Sequence, residues 1–478
     1  MTDPVVVPLW LLVVLVLFAL PTLFTQIIIP LWLKLWNRWS QQTFNDVNPQ
    51  LQLKLAPFTL TRYQVLAAQL ATDPQLLQTA ADCAEQQGMT LEQVRDRLHK
   101  IALEIVPAFN PFFYFRVGYR LGRGMLRGFY RVSVGFADDP SLETVSSDDS
   151  VIFMSNHRSN MDYLLMNYLT AERTMLSFGV GEWSGIFPVR QLMRSAGGYF
   201  IRRDSNDPLY RRALERYVQM ATAARVPHAM FPEGALSPDG GMQAPRFGLF
   251  SYVTKNFDPA TSPDIVIIPI GINYDRVAED NKMLSSNSAE FRSKGKRFIV
   301  WTVIMFGLRT LAEVLLQRRS FGYACANFGR PVSFRDWLAA HDVDWPGLDR
   351  GQRFEWLNRF GNELMAQVKS LIPVPPVPLL CRVLQHAPAA GYDKTQLLAS
   401  FKQLFLQARE KNAFVVLARA SSQYSLQQAL ELTLLRGMVR YQSNGNYIIN
   451  PEKRALITYY AKSIEHYFEA AAFDALLK

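Results

Sequence analysis

The 478-residue chain is poor in the residues that build metal centres and disulfide frameworks. Its three cysteines, Cys83, Cys325 and Cys381, are widely scattered. They have no metal-binding spacing and give no framework of bridges, so a reducing compartment is the default. Six histidines, none paired at ligand spacing, argue against a histidine-rich metal site. Charge is scarce as well: 19% of residues are charged against 49% hydrophobic, which is apolar for a soluble enzyme. The charge present leans basic, at +10, and fits nucleic acid, anionic lipid or an acidic substrate. The length allows two or three domains.

Val5 to Phe24 contains no charged residue, and the apolar character continues through Ile27-Ile28-Ile29 to Leu33. About 20 helical residues span the hydrocarbon core of a bilayer, and Pro8 and Pro21 kink such a helix without forbidding it. A cleaved signal peptide is the alternative, but it wants a basic start, and here Asp3 precedes the run while Lys34 and Arg38 follow it. Residues 1–45 are therefore expected to be a membrane anchor helix, with Trp32, Trp36 and Trp39 at the interface and the rest of the chain on the cytoplasmic side. That side is the inner face of the cell membrane if the source is bacterial.

Residues 46–135 read as a helical region. Thr90-Leu91-Glu92-Gln93 marks a capped helix start. Arg116, Arg120, Arg123, Arg127 and Arg131 recur at spacings of four, three, four and four, which predicts one stripe of a basic amphipathic helix. With Phe112, Phe113, Tyr114 and Phe115 ahead of it, the stripe suits an anionic membrane surface. A solvated face with ordinary salt bridges is the alternative. Gly118, Gly122, Gly124 and Gly128 weaken helix propensity and allow close packing on a neighbour.

Polar loop signals at Asp138-Asp139-Pro140 and Ser146–Asp149 open a new domain, expected over 136–345. Strands are predicted at Val151–Met154, Ala196–Ile201, His228–Phe231 and Ile265–Ile270, with helices after Asn160 and from Pro208 to Ala224. Strands alternating with helices predict an α/β domain with a largely parallel sheet. In it, Asn156-His157-Arg158-Ser159-Asn160-Met161-Asp162 follows a buried strand and precedes a helix that Asn160 is expected to cap. On a continuous helix, residues five apart sit roughly 140° apart and do not face each other. With His157 in the turn and Asp162 in the first helical turn, the imidazole folds back onto the carboxylate. Such a pair is a base and its orienter, and the chemistry it suggests is activation of a hydroxyl on a bound substrate. Arg202 and Arg203 follow a strand directly and form a natural phosphate clamp. Glu233 ends another strand just before Gly234, where it is expected to bind an acceptor hydroxyl or pair with the arginines.

Four blocks stand in order: Asn156 to Leu165, Gly198 to Arg203, Phe231-Pro232-Glu233-Gly234, and Ile267 to Val277 with Pro269 inside it. Over about residues 130 to 340 the chain closely resembles the glycerol-3-phosphate and dihydroxyacetone-phosphate acyltransferase family, within the wider glycerolipid acyltransferases. Tyr323 to Ser333 looks like that family's closing strand and loop. The first, second and fourth blocks look more like glycerol-3-phosphate acyltransferases than lysophosphatidate acyltransferases. The resemblance implies a mixed sheet flanked by helices. It also implies that His157 deprotonates an acceptor hydroxyl, which attacks the thioester of acyl-CoA or acyl carrier protein, and that Asp162 orients His157. Arg158, Arg202 and Arg203 would hold the acceptor phosphate. Glu233 and Gly234 would shape the acceptor site and Pro269 would close it. No metal or redox cofactor is implied. One departure stands in the third block, where the family usually carries Arg two residues after the Glu-Gly pair and this chain has Leu236. Lysophosphatidate, dihydroxyacetone phosphate and a non-phosphorylated acceptor therefore stay open beside glycerol 3-phosphate, and a catalytically degenerate membrane scaffold is the non-enzymatic alternative.

Phe298 to Leu308 is apolar but short for a span, and fits an acyl-chain groove, a dip into the bilayer or ordinary core. Pro373-Val374-Pro375-Pro376-Val377-Pro378 is expected to be a stiff connector into a helical C-terminal domain over 346–478. There, a helix over Ser425–Arg436 followed by a hairpin around Ser443-Asn444-Gly445-Asn446 resembles a winged-helix unit. Its helix carries Glu431 and few basic residues, so it makes a poor recognition helix and no nucleic-acid partner is expected. A packing or regulatory role is expected instead.

Overall fold

The computed structural model describes residues 29–136, 145–181, 189–202, 205–281 and 321–468. The expected anchor over Val5–Phe24 and the apolar run Phe298–Leu308 lie outside them. Among the described residues, no helix is long and apolar enough to cross a membrane.

Eight strands form one mixed sheet: β1 (Arg131–Phe136), β2 (Ser150–Ser155), β3 (Ser177–Val180), β4 (Gly198–Phe200), β5 (His228–Met230), β6 (Ile265–Tyr274), β7 (Tyr323–Phe328) and β8 (Val332–Ser333). The order is β1-β7-β6-β2-β5-β3-β4, with β8 also on β6. From β6 through β2, β5 and β3 to β4 the strands run parallel, while β7 is antiparallel to β6 and parallel to β1. The carboxyl ends of β2, β4, β5 and β6 therefore share one edge of the sheet, where ligands bind in open parallel sheets. At that edge β6 hands over to β7. The Asp275 amide donates to the Tyr323 carbonyl at 2.9 Å, and the Tyr323 amide donates back to the Asp275 carboxylate at 2.8 Å. Burial pushes that carboxyl up to about 7.

The main helices are α1 (Ile29–Val47), α2 (Tyr63–Ala71), α3 (Pro74–Gln87), α4 (Leu91–Ile105), α5 (Tyr119–Phe129), α6 (Met161–Thr170), α7 (Pro208–Ala223), α8 (Arg350–Leu371), α9 (Pro376–Gln385), α10 (Lys394–Glu410), α11 (Ser422–Leu435) and α12 (Arg454–Lys462). The expected capping box at the start of α4 is present: Thr90 and Gln93 exchange side-chain-to-backbone bonds. The period-two pattern of β2 splits its side chains between two cores. Val151 and Phe153 join Leu380, Leu384 and Leu456 on the C-terminal side. Ile152 and Met154 join Leu98, Tyr210 and Phe360 on the other. Each such large side chain stabilises the fold by roughly 1.5–3 kcal/mol when fully buried. A strand covered on both faces reads as an unbroken apolar run, which is why β2 and β6 are visible in the sequence.

Three expectations shift. The arginine stripe does not continue to Arg131: α5 ends at Phe129, and Arg131 opens β1, paired with Tyr323. The stripe starts in a π-helical stretch, Phe112–Gly118, whose Phe112 ring meets Trp36 and Trp39 of α1 at 5.3 and 5.4 Å. Gly122 is where α5 crosses α6, since a Cβ there would sit 2.7 Å from Leu164. The proline run after α8 does not cross the surface: Leu371 to Leu380 is buried throughout. It lies flat on β6, where a Cβ at Gly271 would meet the Leu371 carbonyl carbon at 2.3 Å. The hairpin Val439–Tyr441 with Tyr447–Ile449 forms as expected.

Candidate active site

The site begins where β2 runs out of sheet. The Asn156 side chain continues the ladder in place of backbone: its amide nitrogen donates to the Ile272 carbonyl at 2.9 Å and its oxygen accepts from the Ile272 amide at 2.8 Å. That tether fixes the point where the chain turns, and His157 is the next residue. His157 Nδ1 lies 2.9 Å from Asp162 Oδ2, with both side chains buried. The same oxygen accepts from the amides of Arg158 at 2.7 Å and Ser159 at 3.0 Å, and Oδ1 accepts from Tyr274 Oη at 2.6 Å. An ionised carboxylate suits four donors and no acceptors, so Nδ1 carries the proton and Nε2 is left as the base. The ring is held flat on Phe231, 4.4 Å away, and edge-on to Tyr163 at 5.5 Å.

Asn160 does not cap α6 with its side chain. Glu279, half-buried and with its carboxyl raised by desolvation, accepts from Ser159 Oγ at 2.7 Å, Asn160 Nδ2 at 3.1 Å and the Asn160 amide at 3.3 Å. Ser159 Oγ in turn accepts from the Met161 amide at 3.1 Å.

Glu233 sits beside His157, as its place after β5 requires, but its oxygens bond to backbone. Oε1 accepts from the His157 amide at 2.9 Å and Oε2 from the Gln243 amide at 2.8 Å. It braces the two loops, and burial raises its carboxyl. Gly234 makes the turn possible at φ +69°, a conformation that side chains resist. Leu236 is half-buried in the same loop.

The arginines part company. Arg158 is buried against His157, with its guanidinium 4.8 Å from the Tyr459 ring. Arg202 stands beyond β4, three strand spacings or roughly 14 Å from β2. It forms a bidentate pair with Glu104, the bond from Nε measuring 2.7 Å, and lies over the Tyr210 ring at 4.6 Å. Arg203 lies outside the described residues. Pro269 stands in the middle of β6 opposite Met154, and its carbonyl accepts from the Gly329 amide at 2.9 Å. Its missing donor falls where β7 turns into β8, so the sheet loses no bond there. A separate groove of 590 Å³ between α5, α6, β1 and α11, lined by Arg127, Tyr168 and Leu432 among others, contains none of these residues.

Sequence reasoning gives no role at the site to Tyr274 or Glu279, which lie 112 and 120 positions from their partners.

A buried histidine braced by a carboxylate at the carboxyl edge of a parallel sheet defines a site for hydroxyl activation, and residues 140–273 match the family model described as Acyltransferase. Residues 307–477 match a second, described as Glycerol-3-phosphate acyltransferase C-terminal region. Over these two segments the chain is similar to glycerol-3-phosphate acyltransferases. It is 25% identical to the glycerol-3-phosphate acyltransferase of Pseudomonas fluorescens (strain SBW25) over 441 residues, covering 87% of this chain and 49% of that protein. It is also 25% identical over 346 residues to the enzyme of the same name from Xanthomonas axonopodis pv. citri (strain 306), covering 70% and 38%. The chain thus spans about half the length, or less, of these relatives. The crystal structure of the 1-acyl-sn-glycerophosphate (LPA) acyltransferase PlsC from Thermotoga maritima aligns with 65% of this chain and 93% of that one, at 15% identity and a TM-score of 0.29.

Proposed function

We propose that this chain is an O-acyltransferase that moves a fatty acyl group from acyl-CoA or acyl carrier protein to the sn-1 hydroxyl of glycerol 3-phosphate, the first step of phospholipid synthesis. The observation that carries the reading is the 2.9 Å bond between His157 Nδ1 and Asp162, which leaves Nε2 as the basic nitrogen. Nε2 takes the hydroxyl proton as the oxygen attacks the thioester carbonyl. Asp162 stabilises the imidazolium that forms. Collapse of the tetrahedral intermediate breaks the C–S bond, and the imidazolium returns its proton to the leaving thiolate. The reaction as written needs no metal or redox cofactor.

The enzyme would work at a membrane, anchored by its N-terminal apolar segment, with this domain on the cytoplasmic side. The surface of α5 supports that reading: Arg120, Arg123 and Arg127 are exposed beside Leu121, at 63%, and Met125, at 47%. Leu236, an apolar side chain where the family has a cation, keeps lysophosphatidate, dihydroxyacetone phosphate and a non-phosphorylated acceptor open as alternatives. The test is thiol release from palmitoyl-CoA by the detergent-purified protein. Glycerol 3-phosphate, dihydroxyacetone phosphate and lysophosphatidate are offered separately, with His157→Ala beside each. Turnover with glycerol 3-phosphate, abolished in the variant, is expected. Turnover only with another acceptor replaces the reading, and silence with all three and with acyl carrier protein donors leaves the scaffold.

A further inference from the structure

The turn that carries the dyad hangs on side chains. Its five successive amides, from His157 to Met161, all donate to side-chain oxygens. The His157 amide ends on Glu233, and those of Arg158 and Ser159 end on Asp162. The Asn160 amide ends on Glu279 Oε1. The Met161 amide ends on Ser159 Oγ, which itself donates to Glu279 Oε2. Asn160 Nδ2 adds a third bond to Glu279. Glu279 therefore fixes the second half of the turn as Asp162 fixes the first. The two halves are linked at the dyad. Asp162 Oδ2 receives the imidazole Nδ1 together with the amides of Arg158 and Ser159, so a backbone shift at Ser159 and Asn160 draws that oxygen off the ring.

Glu279 is clamped from both sides by the C-terminal layer. Two residues before it, the Val277 amide donates to Tyr460 Oη at 2.9 Å. One residue after it, the Asp280 carboxylate accepts from Arg436 Nη2 at 2.5 Å and from Tyr460 Oη. Arg436 Nη1 also donates to Tyr460 Oη, at 3.1 Å. Tyr460 belongs to α12, and Arg436 directly follows α11. Asp280 and Tyr460 are buried. A buried ion pair with its remaining lone pairs satisfied is costly to break, so the backbone under Glu279 has little freedom.

We propose that Glu279 is a positioning residue for the dyad, held in place by Arg436 and Tyr460 of the C-terminal region through its neighbour Asp280. Its two oxygens are taken up by the turn, so it acts on His157 only through Ser159, Asn160 and Asp162. What matters is its reach rather than its charge. The inference rests on the function proposed above, and its test separates the two.

Glu279→Gln and Glu279→Asp form the discriminating pair. Gln keeps the reach: its oxygen still accepts from Asn160, and its nitrogen donates to Ser159 Oγ, which can accept. Asp keeps the charge but is one methylene short of the turn. The measurement is thiol release from palmitoyl-CoA with glycerol 3-phosphate, with kcat referred to the folded fraction seen by near-ultraviolet circular dichroism. Glu279→Asp and Glu279→Ala are expected to lose about a hundredfold in kcat, the order that a misplacement of ~1 Å costs. Both KM values stay as in the wild type, since no binding contact is removed. Glu279→Gln stays near wild type. Tyr460→Phe, which frees one side of the clamp, shows a smaller fall in kcat of the same kind, and a wild-type kcat there overturns the C-terminal share of the proposal. An active Glu279→Asp beside an impaired Glu279→Gln overturns the whole, because charge would then matter and reach would not. So does a wild-type kcat per folded molecule in Glu279→Ala, the mark of a merely structural role, or an effect confined to KM. Hydrogen exchange of the peptide from His157 to Asp162 reads the same geometry without the reaction, and is expected to speed up in Glu279→Asp but not in Glu279→Gln. If the wild type turns over no acceptor, the acyltransferase reading fails and the exchange alone decides: an unchanged rate in Glu279→Asp overturns the positioning role.

Discussion

Replacing Asp162 by Asn removes a charge from the dyad while leaving its hydrogen bonds almost intact. Oδ2 receives three donors, from His157 Nδ1 and the amides of Arg158 and Ser159. The two backbone amides are fixed, so the oxygen of Asn must take that position, and its nitrogen is turned toward Tyr274 Oη, which can accept. The imidazole therefore keeps its tautomer, and only the charge opposite the imidazolium is lost. At a separation of ~4 Å and an effective dielectric of ~20, that interaction is about 4 kcal/mol, or about a thousandfold in rate. Asp162→Ala is the contrast: it strands all four donors and is expected to destabilise the fold as well. The assay is thiol release at saturating palmitoyl-CoA and glycerol 3-phosphate, with near-ultraviolet circular dichroism as the control for packing. The reasoning is refuted if Asp162→Asn keeps activity within tenfold of wild type. It is refuted equally if the variant loses its near-ultraviolet spectrum, because the hydrogen-bond argument would then be wrong.

Two further outcomes follow from buried groups. His228 is buried in β5 with neither ring nitrogen bonded, and burial holds its imidazole at about 4, against an ordinary 6.5. The unfolded chain therefore binds the extra proton between those values. Stability falls as pH drops from 6.5 to 4, by about 3 kcal/mol at 1.36 kcal/mol per unit. His228→Leu should flatten the pH dependence of the urea midpoint over that window, and an unchanged slope would count against the assignment. Gly240→Ala places a side chain at φ +90° and on the Tyr459 carbonyl. It is expected to lower the thermal midpoint, with roughly 1–3 kcal/mol of backbone strain alone, and a wild-type midpoint would show that the loop yields freely.

What the sequence made legible was local. β2 and β6 are apolar runs because both of their faces are covered, and the histidine and its carboxylate stand five residues apart in one turn. β1 was hidden because Arg131 falls at helical spacing from Arg127, and one more step of the stripe runs past the helix end. Glu233 reads in the sequence as seeking a cation or a hydroxyl, because the backbone amides it accepts from have no letter in a sequence. Arg202 was read as a clamp because its own pair, Glu104, lies 98 positions away. Tyr274 and Glu279 reach the dyad turn only after the sheet has closed around it.

The junction of β6 and β7 has a consequence for how such a protein can change over generations. Asp275 and Tyr323 are stapled to each other twice, across 48 positions of sequence. The chain leaves the sheet and returns to it through one fixed doorway. Once a doorway is held by its own bonds, the length of chain outside it matters little, because doubling a loop adds only about 0.6 kcal/mol of closure entropy. Insertions beyond Asp280 would leave the strand register, the dyad and the bonds of Glu279 to its turn untouched. This is the place where the fold can acquire a new accessory element, or accept a grafted one, at the least risk to catalysis.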